Sequence, residues 1–104
     1  MSAHYIVRLI SEDESIIQEI QDTTGFIDNV LIPLGIKLKG VSRHIDPYGT
    51  TTLNALQASE ITSDLCSLQS ENLTPAQMHF SLSLANMLQI TDEQPHMYIK
   101  FIGD

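Results

Sequence analysis

A chain of 104 residues with 42% hydrophobic content is long enough to bury one core and contains no linker between two, so a single domain over residues 1–104 is expected. Its net charge of -8 at pH 7, from 13 acidic against 5 basic residues, repels nucleic acid and anionic lipid at long range and draws in basic partners. The lone Cys66 excludes an intrachain disulfide. With no signal-peptide pattern and no run of about 20 apolar residues, a cytoplasmic protein is expected.

In chain order, Tyr5, Val7 and Leu9 alternate with Ile6, Arg8 and Ile10 and predict a first strand. Ser11 and Glu14 then stand at capping-box spacing, with Glu12 and Asp13 favourable to a helix dipole. A helical segment over 12–31 is therefore predicted, broken at Thr24-Gly25, with Ile16, Ile17 and Ile20 as its first apolar stripe and Phe26, Ile27, Val30 and Leu31 as its second. Pro33 and Gly35 are expected to end it. Ile36, Lys37, Leu38 and Lys39 alternate again, and Val41 and Ile45 fall on the opposite parity, which predicts a second strand bulged at Gly40.

Asp46-Pro47-Tyr48-Gly49 has the residues of a type I turn, and Thr51 or Thr52 is a candidate cap for a helix over 52–68. Leu53, Ala58, Ile61, Leu65 and Leu68 share one stripe of that helix. Asn54 falls inside the stripe and Gln57 at its edge, so both are expected to point inward and pin the turn through hydrogen bonds. Thr74, Pro75 and Gln77 announce a further helix by cap, first-turn proline and capping box. Its faces read as Met78, Leu82 and Ala85 on one side, flanked by Leu84 and Leu88, with Phe80 and Met87 on the far side. A helix apolar nearly all round is either sandwiched or keeps a face for a partner. Met97, Ile99 and Phe101 alternate in a closing strand. The expected fold is α+β, a three-stranded antiparallel or mixed sheet with helices mainly on one face, in the order β, broken α, β, α, α, β.

The stretch Asp46-Pro47-Tyr48-Gly49, Thr51 or Thr52, Asn54 and Gln57, together with His96-Met97-Tyr98-Ile99-Lys100-Phe101-Ile102-Gly103-Asp104, resembles a group of small, uncharacterised bacterial proteins. These are built as a strand, a D-P-Y-G turn, a T-x-x-N-x-x-Q helix and a closing H-x-Y-x-K-F-I-G-D strand. The resemblance covers the second half of the chain and implies an architecture without implying an activity.

The bases Arg8, Lys37, Lys39, Arg43 and Lys100 all fall on predicted strands, and the acids on predicted helices and loops. One sheet face would then carry His4, Arg8, His96, Tyr98 and Lys100 with Lys37 and Lys39. Such a face stacks single-stranded RNA where it has several aromatics, but here one aromatic and a net charge of -8 argue against nucleic acid. His44 and Asp46, with His4 and His96 on neighbouring strands, lack the paired spacing of a zinc site, so neither metal nor cofactor is expected. A base at His44 oriented by Asp46 would still need a nucleophile, and no phosphate loop or nucleophile elbow is present. The chain reads as a non-enzyme.

The leading expectation is a small acidic protein-binding domain, an immunity-protein or antitoxin-like inhibitor of a basic toxin, binding through Glu12, Asp13, Glu14, Glu19 and Asp22 or through Glu60 and Asp64. No membrane partner is expected. Two alternatives stay open. One is an oligomerising regulatory or scaffold protein, associating through Phe80, Leu84 and Met87 or through the edge of a terminal strand. The other is a small enzyme or ligand binder centred on His44, Asp46, Tyr48 and Asn54, with Gln57 beside them.

Overall fold

A computed structural model describes residues 4–68 and 72–103. The fold is α+β: an antiparallel sheet of four strands in the order β2-β1-β4-β3, with the helices joined to it by one apolar core. Strand β1 (Tyr5–Ile10) is as expected, and so is the last strand, β4 (Tyr98–Gly103). They pair along their whole length, from Tyr5 opposite Gly103 to Ile10 opposite Tyr98. Tyr5, Val7 and Leu9 face inward with Ile99 and Phe101, all buried.

The predicted helix over 12–22 is corrected to a hairpin. Residues Ile16–Asp22 form β2, antiparallel to β1, and the Glu12, Asp13 and Glu14 segment is its tip. Ser11 N–H donates to the Ser15 carbonyl at 2.9 Å and Glu14 N–H to the Ser11 carbonyl at 2.9 Å. These bonds and a left-handed Glu14 (φ 70°) make a three-residue hairpin loop. The S-x-x-E spacing of a capping box thus serves as a turn. Behind it, β-branched Ile16, Ile17 and Ile20 prefer the extended chain and gain a partner in β1. Ile16 and Ile17 are accordingly more than half exposed rather than a helical core stripe.

Residues 27–31 are helical as expected, and the second correction concerns 32–45. A π-turn over Ile27–Leu31 runs straight into α1 (Ile32–Leu38), so no strand forms there. In the π-turn Ile32 N–H donates to the Ile27 carbonyl, five residues back. Pro33 therefore arrives in the first turn of α1, where its missing N–H costs nothing. Gly35 stays inside the helix because the 3₁₀ turn Val41–His44 folds back onto it: a Cβ at Gly35 would lie 2.2 Å from Ser42 Oγ and 2.5 Å from Arg43 N. Ile36 to Lys39 are all exposed at the end of this helix, so their alternation marks no pleat.

The third strand is β3 (Thr50–Leu53), four residues on the other edge of the sheet, paired to β4 from Thr50 opposite Ile102 to Leu53 opposite Ile99. Helix α2 (Ala55–Cys66) and helix α3 (Pro75–Glu93) follow. The cap of α3 is as predicted, with Gln77 N–H donating to Thr74 Oγ1 at 3.1 Å and Thr74 N–H to Gln77 Oε1 at 3.1 Å. Phe80, Leu84 and Met87, expected as a surface for self-association in one alternative, are corrected to core residues. Phe80, Leu84, Met87 and Leu88 are buried against the sheet and helices, Phe80 lying 5.7 Å from the Phe26 ring, while Leu82 is exposed. Both stripes are apolar, and packing against α2 and across β2 and β4 selects the one with Phe80, Leu84, Met87 and Leu88.

The turn at residues 46–49 lies over the end of β4. Gly103 N–H donates to the Gly49 carbonyl at 2.7 Å, and a Cβ at Gly103 would lie 2.4 Å from the Pro47 carbonyl. A Cβ at Gly49 would meet only the tip of the Asp46 side chain, 2.6 Å away, which can swing aside. Gly103→Ala is therefore predicted to lower stability by about 2 kcal/mol, because backbone must move. Gly49→Ala should cost clearly less. Equal denaturant midpoints for the two variants would contradict this packing.

Candidate functional site

The 46–57 stretch is structural. Gly49 N–H donates to the Asp46 carbonyl at 3.4 Å and Tyr48 N–H to Asp46 Oδ1 at 2.9 Å, the expected Asp-Pro turn. Asp46 N–H donates to Thr51 Oγ1 at 2.9 Å, so this threonine braces the turn from β3 instead of capping a helix. The cap of α2 is Asn54. Gln57 N–H donates to Asn54 Oδ1 at 2.9 Å and Asn54 N–H to Gln57 Oε1 at 3.0 Å, a complete capping box. Asn54 is exposed and does not reach the turn. Placing it on the inner stripe assumed helical dihedrals, but a cap residue is extended, here at φ -78° and ψ 177°, and leaves the helical wheel.

His44, Asp46, Tyr48 and Asn54 are each engaged locally and do not form one centre. His44 Nε2 accepts from Arg43 Nε at 3.1 Å, and Tyr48 is 85% exposed. The antiparallel register sends His4 and His96 to opposite ends of the sheet. Among the described residues no three His, Cys, Asp or Glu side chains are grouped to hold a metal ion. The basic sheet face also dissolves, because Lys37 belongs to α1, Lys39 is its left-handed C-cap and Arg43 lies in the 3₁₀ turn. Arg8 remains, with Nε 2.6 Å from Glu19 Oε1, and Lys100, whose Nζ lies 5.8 Å from the Tyr98 ring centroid.

The acids divide into three groups with different work. Asp22 is buried and caps the chain's turn into the π-helix: its Oδ1 accepts from Thr24 N–H at 2.9 Å and Thr24 Oγ1 at 2.7 Å, and its Oδ2 from Ile27 N–H at 2.8 Å. It leaves the set of free acids expected from sequence, and Glu19, exposed, keeps only one carboxylate oxygen beyond its pair with Arg8.

The second group is the hairpin tip. Glu12, Asp13 and Glu14 are exposed. Hydrogen bonds from the Ser11 hydroxyl and from Ser15 hold the Asp13 carboxyl below the usual carboxylate range. Because Ile10 is opposite Tyr98, the connection from α3 to β4 lies at the same end of the sheet. His96 shares a shallow cleft of about 460 Å³ there with Ser11, Glu12 and Asp13, and Tyr98 OH donates to Glu14 Oε1 at 3.4 Å. The last turn of α3 brings Asp92 and Glu93, both exposed, toward this end. Sequence reading passed over these two as loop residues. Their signal was placement, since carboxylates at a helix C-terminus oppose the dipole.

The third group is on α2, where Glu60 is exposed and Asp64 half-buried. Asp64 Oδ2 is enclosed without a hydrogen-bond partner among the described residues, against Gly40, where a Cβ would lie 2.3 Å from it. Burial, and then the Glu60 carboxylate, push the Asp64 carboxyl above its ordinary range. A carboxyl raised in the folded state stabilises fully below its unfolded pKa, and that contribution is lost as pH rises through the folded pKa.

Asp64→Asn removes the half-enclosed charge and is predicted to raise stability at pH 7. The gain should shrink on acidification, and a gain independent of pH would point away from the carboxylate. Asn54→Ala is predicted to cost about 1 kcal/mol through loss of the cap. Gln57→Ala on top of it should add little, because the two residues form one box. Full additivity in denaturant unfolding would contradict the reciprocal pairing.

Compared with known proteins, the chain matches no family, no curated protein and no solved structure.

Proposed function

We propose that this chain is an acidic protein-binding domain that docks a cationic cleft of a partner, in the manner of an immunity protein or antitoxin-like inhibitor of a basic toxin. The observation that supports it is the gathering of Glu12, Asp13, Glu14, Asp92 and Glu93 at one end of the sheet, three of them, Glu14, Asp92 and Glu93, in positions where local structure does not favour them. Glu14 occupies a left-handed turn position that glycine or asparagine fills at lower energy. Asp92 and Glu93 stand where the helix dipole already places negative charge, and α3 has no basic residue in its last turn. Charge kept against local preference is the mark of a surface retained for binding. It supplies the partner with steering and selectivity, acting on association rate more than on dissociation.

A second reading, self-association, is supported by the groove between α2 and α3. It encloses about 330 Å³ between Leu65, Cys66, Leu68 and Leu73 on one side and Met78, Leu82 and Ala85 on the other, and among the described residues no charged side chain lines it. A mass that rises with concentration and falls when Leu82 is changed to Ser would favour that reading.

For the docking reading, the basic protein that co-purifies with the chain is identified by mass and its association rate measured. Reversing Glu12, Glu14, Asp92 and Glu93 to Lys is predicted to slow association about tenfold or more at physiological salt, where screening acts over about 8 Å. The melting temperature should hold or rise, because the reversals suit the dipole of α3. A parental rate with a parental salt slope would defeat the docking reading.

A further inference from the structure

We infer that β2 is an open docking edge, and that an extended segment of the partner with alternating basic and apolar residues adds to the sheet as a fifth strand beside it. This inference rests on the acidic docking reading and names how the partner is held. The two edges of the sheet are treated very differently. Edge strand β3 has four residues, three of them threonines, and is confined between the Asp46 turn packed on Gly103 and the capping box of α2. Edge strand β2 has seven residues, IIQEIQD, with no Lys, Arg or Pro to discourage pairing. Among the described residues its only strand partner is β1, so its outward amides and carbonyls are free to receive a strand.

The register says what kind of strand fits. The shift between Leu9 and Ile10 makes Ile17 the bulged residue, beyond which residues 18–22 run in unbroken register with β1. Glu19 points to the outer face, level with Arg8, while Ile20 points to the inner face and is half-buried against the core. Arg8 holds Glu19 Oε1 through its Nε, which leaves the second carboxylate oxygen for an incoming cation. A side chain on the other parity would cover Ile20, as an apolar one does best. The same alternation carries basic residues toward the tip acids Glu12 and Glu14, next to the exposed Ile16 and Ile17. Backbone pairing then supplies affinity, and the Glu19 and Ile20 positions supply selectivity.

The test uses a capped peptide of alternating lysine and valine as probe, and an analogue with alternate backbone amides N-methylated. The analogue keeps charge and side chains and cannot pair as a strand. The parent peptide is expected to bind at low salt and to slow amide exchange at residues 18–22, and the N-methylated analogue to bind about tenfold more weakly or worse. Ile17→Lys, on an exposed position, should weaken the parent peptide while leaving the melting temperature in place. Equal binding by both peptides, without protection of β2 but abolished by reversal of the tip acids, would overturn the edge and leave the acidic docking reading standing. No binding by either peptide would overturn both. A free protein that is already dimeric with the outward amides of β2 protected would overturn the inference in favour of a second copy at that edge.

Discussion

The pairing of the first strand with the last is the constraint on which this structure depends. β1 and β4 occupy the middle of the sheet, and their inward residues Tyr5, Val7, Leu9, Ile99 and Phe101 form the floor on which the helices rest. The β1–β2 hairpin closes locally, but the pairings of β4 with β1 and with β3 join residues far apart in the chain, and such non-local pairing is slow to form. The pairing also distributes the surface. Being antiparallel, it places the hairpin tip and the α3–β4 connection at one end, and the Asp46 turn and Gly103 at the other.

From that distribution follows the division between acids that build the fold and acids left exposed at one end of the sheet. Asp22 is consumed in capping, and Glu19 Oε1 is held by Arg8. Asp28 accepts the Tyr5 phenol at 2.5 Å, and burial followed by that carboxylate pushes Tyr5 far above the ordinary phenol range. The tip acids and the two at the end of α3 are exposed, and for Glu14, Asp92 and Glu93 the local geometry would favour another residue. Asp64 is a different case, a carboxylate half-enclosed against Gly40, whose Oδ2 has no hydrogen-bond partner among the described residues. Its cost is one of stability.

Legibility of the fold from sequence followed the strength of local signals. β1 and β4 were readable because alternation over six residues has one interpretation when the inward face is buried, and α3 because three start signals coincide at Thr74, Pro75 and Gln77. The 12–22 hairpin was misread because Ser11 and Glu14 satisfy a capping-box pattern and a hairpin turn equally well, and only the presence of β1 as a partner decides. Helix α1 was misread because the π-turn before it is invisible to a 3.6-residue period and relocates Pro33 to a tolerated position. The candidate site was legible only at its centre. Glu12, Asp13 and Glu14 were found by charge, whereas Asp22 and one carboxylate oxygen of Glu19 were lost to partners that local sequence cannot name, and Asp92 and Glu93 join the tip through the register of β4 with β1.

The central claim is that the first strand is flanked by a hairpin on one side and by the last strand on the other, leaving β2 as an open edge beside an acidic tip. Amide hydrogen exchange on the free protein, resolved residue by residue, tests it most directly. The account predicts slow exchange along the whole of β1 and β4, alternate slow and fast amides along β2, and fast exchange at residues 12–14. Uniform protection across residues 12–22, with the short-range contacts of a helix, would contradict it.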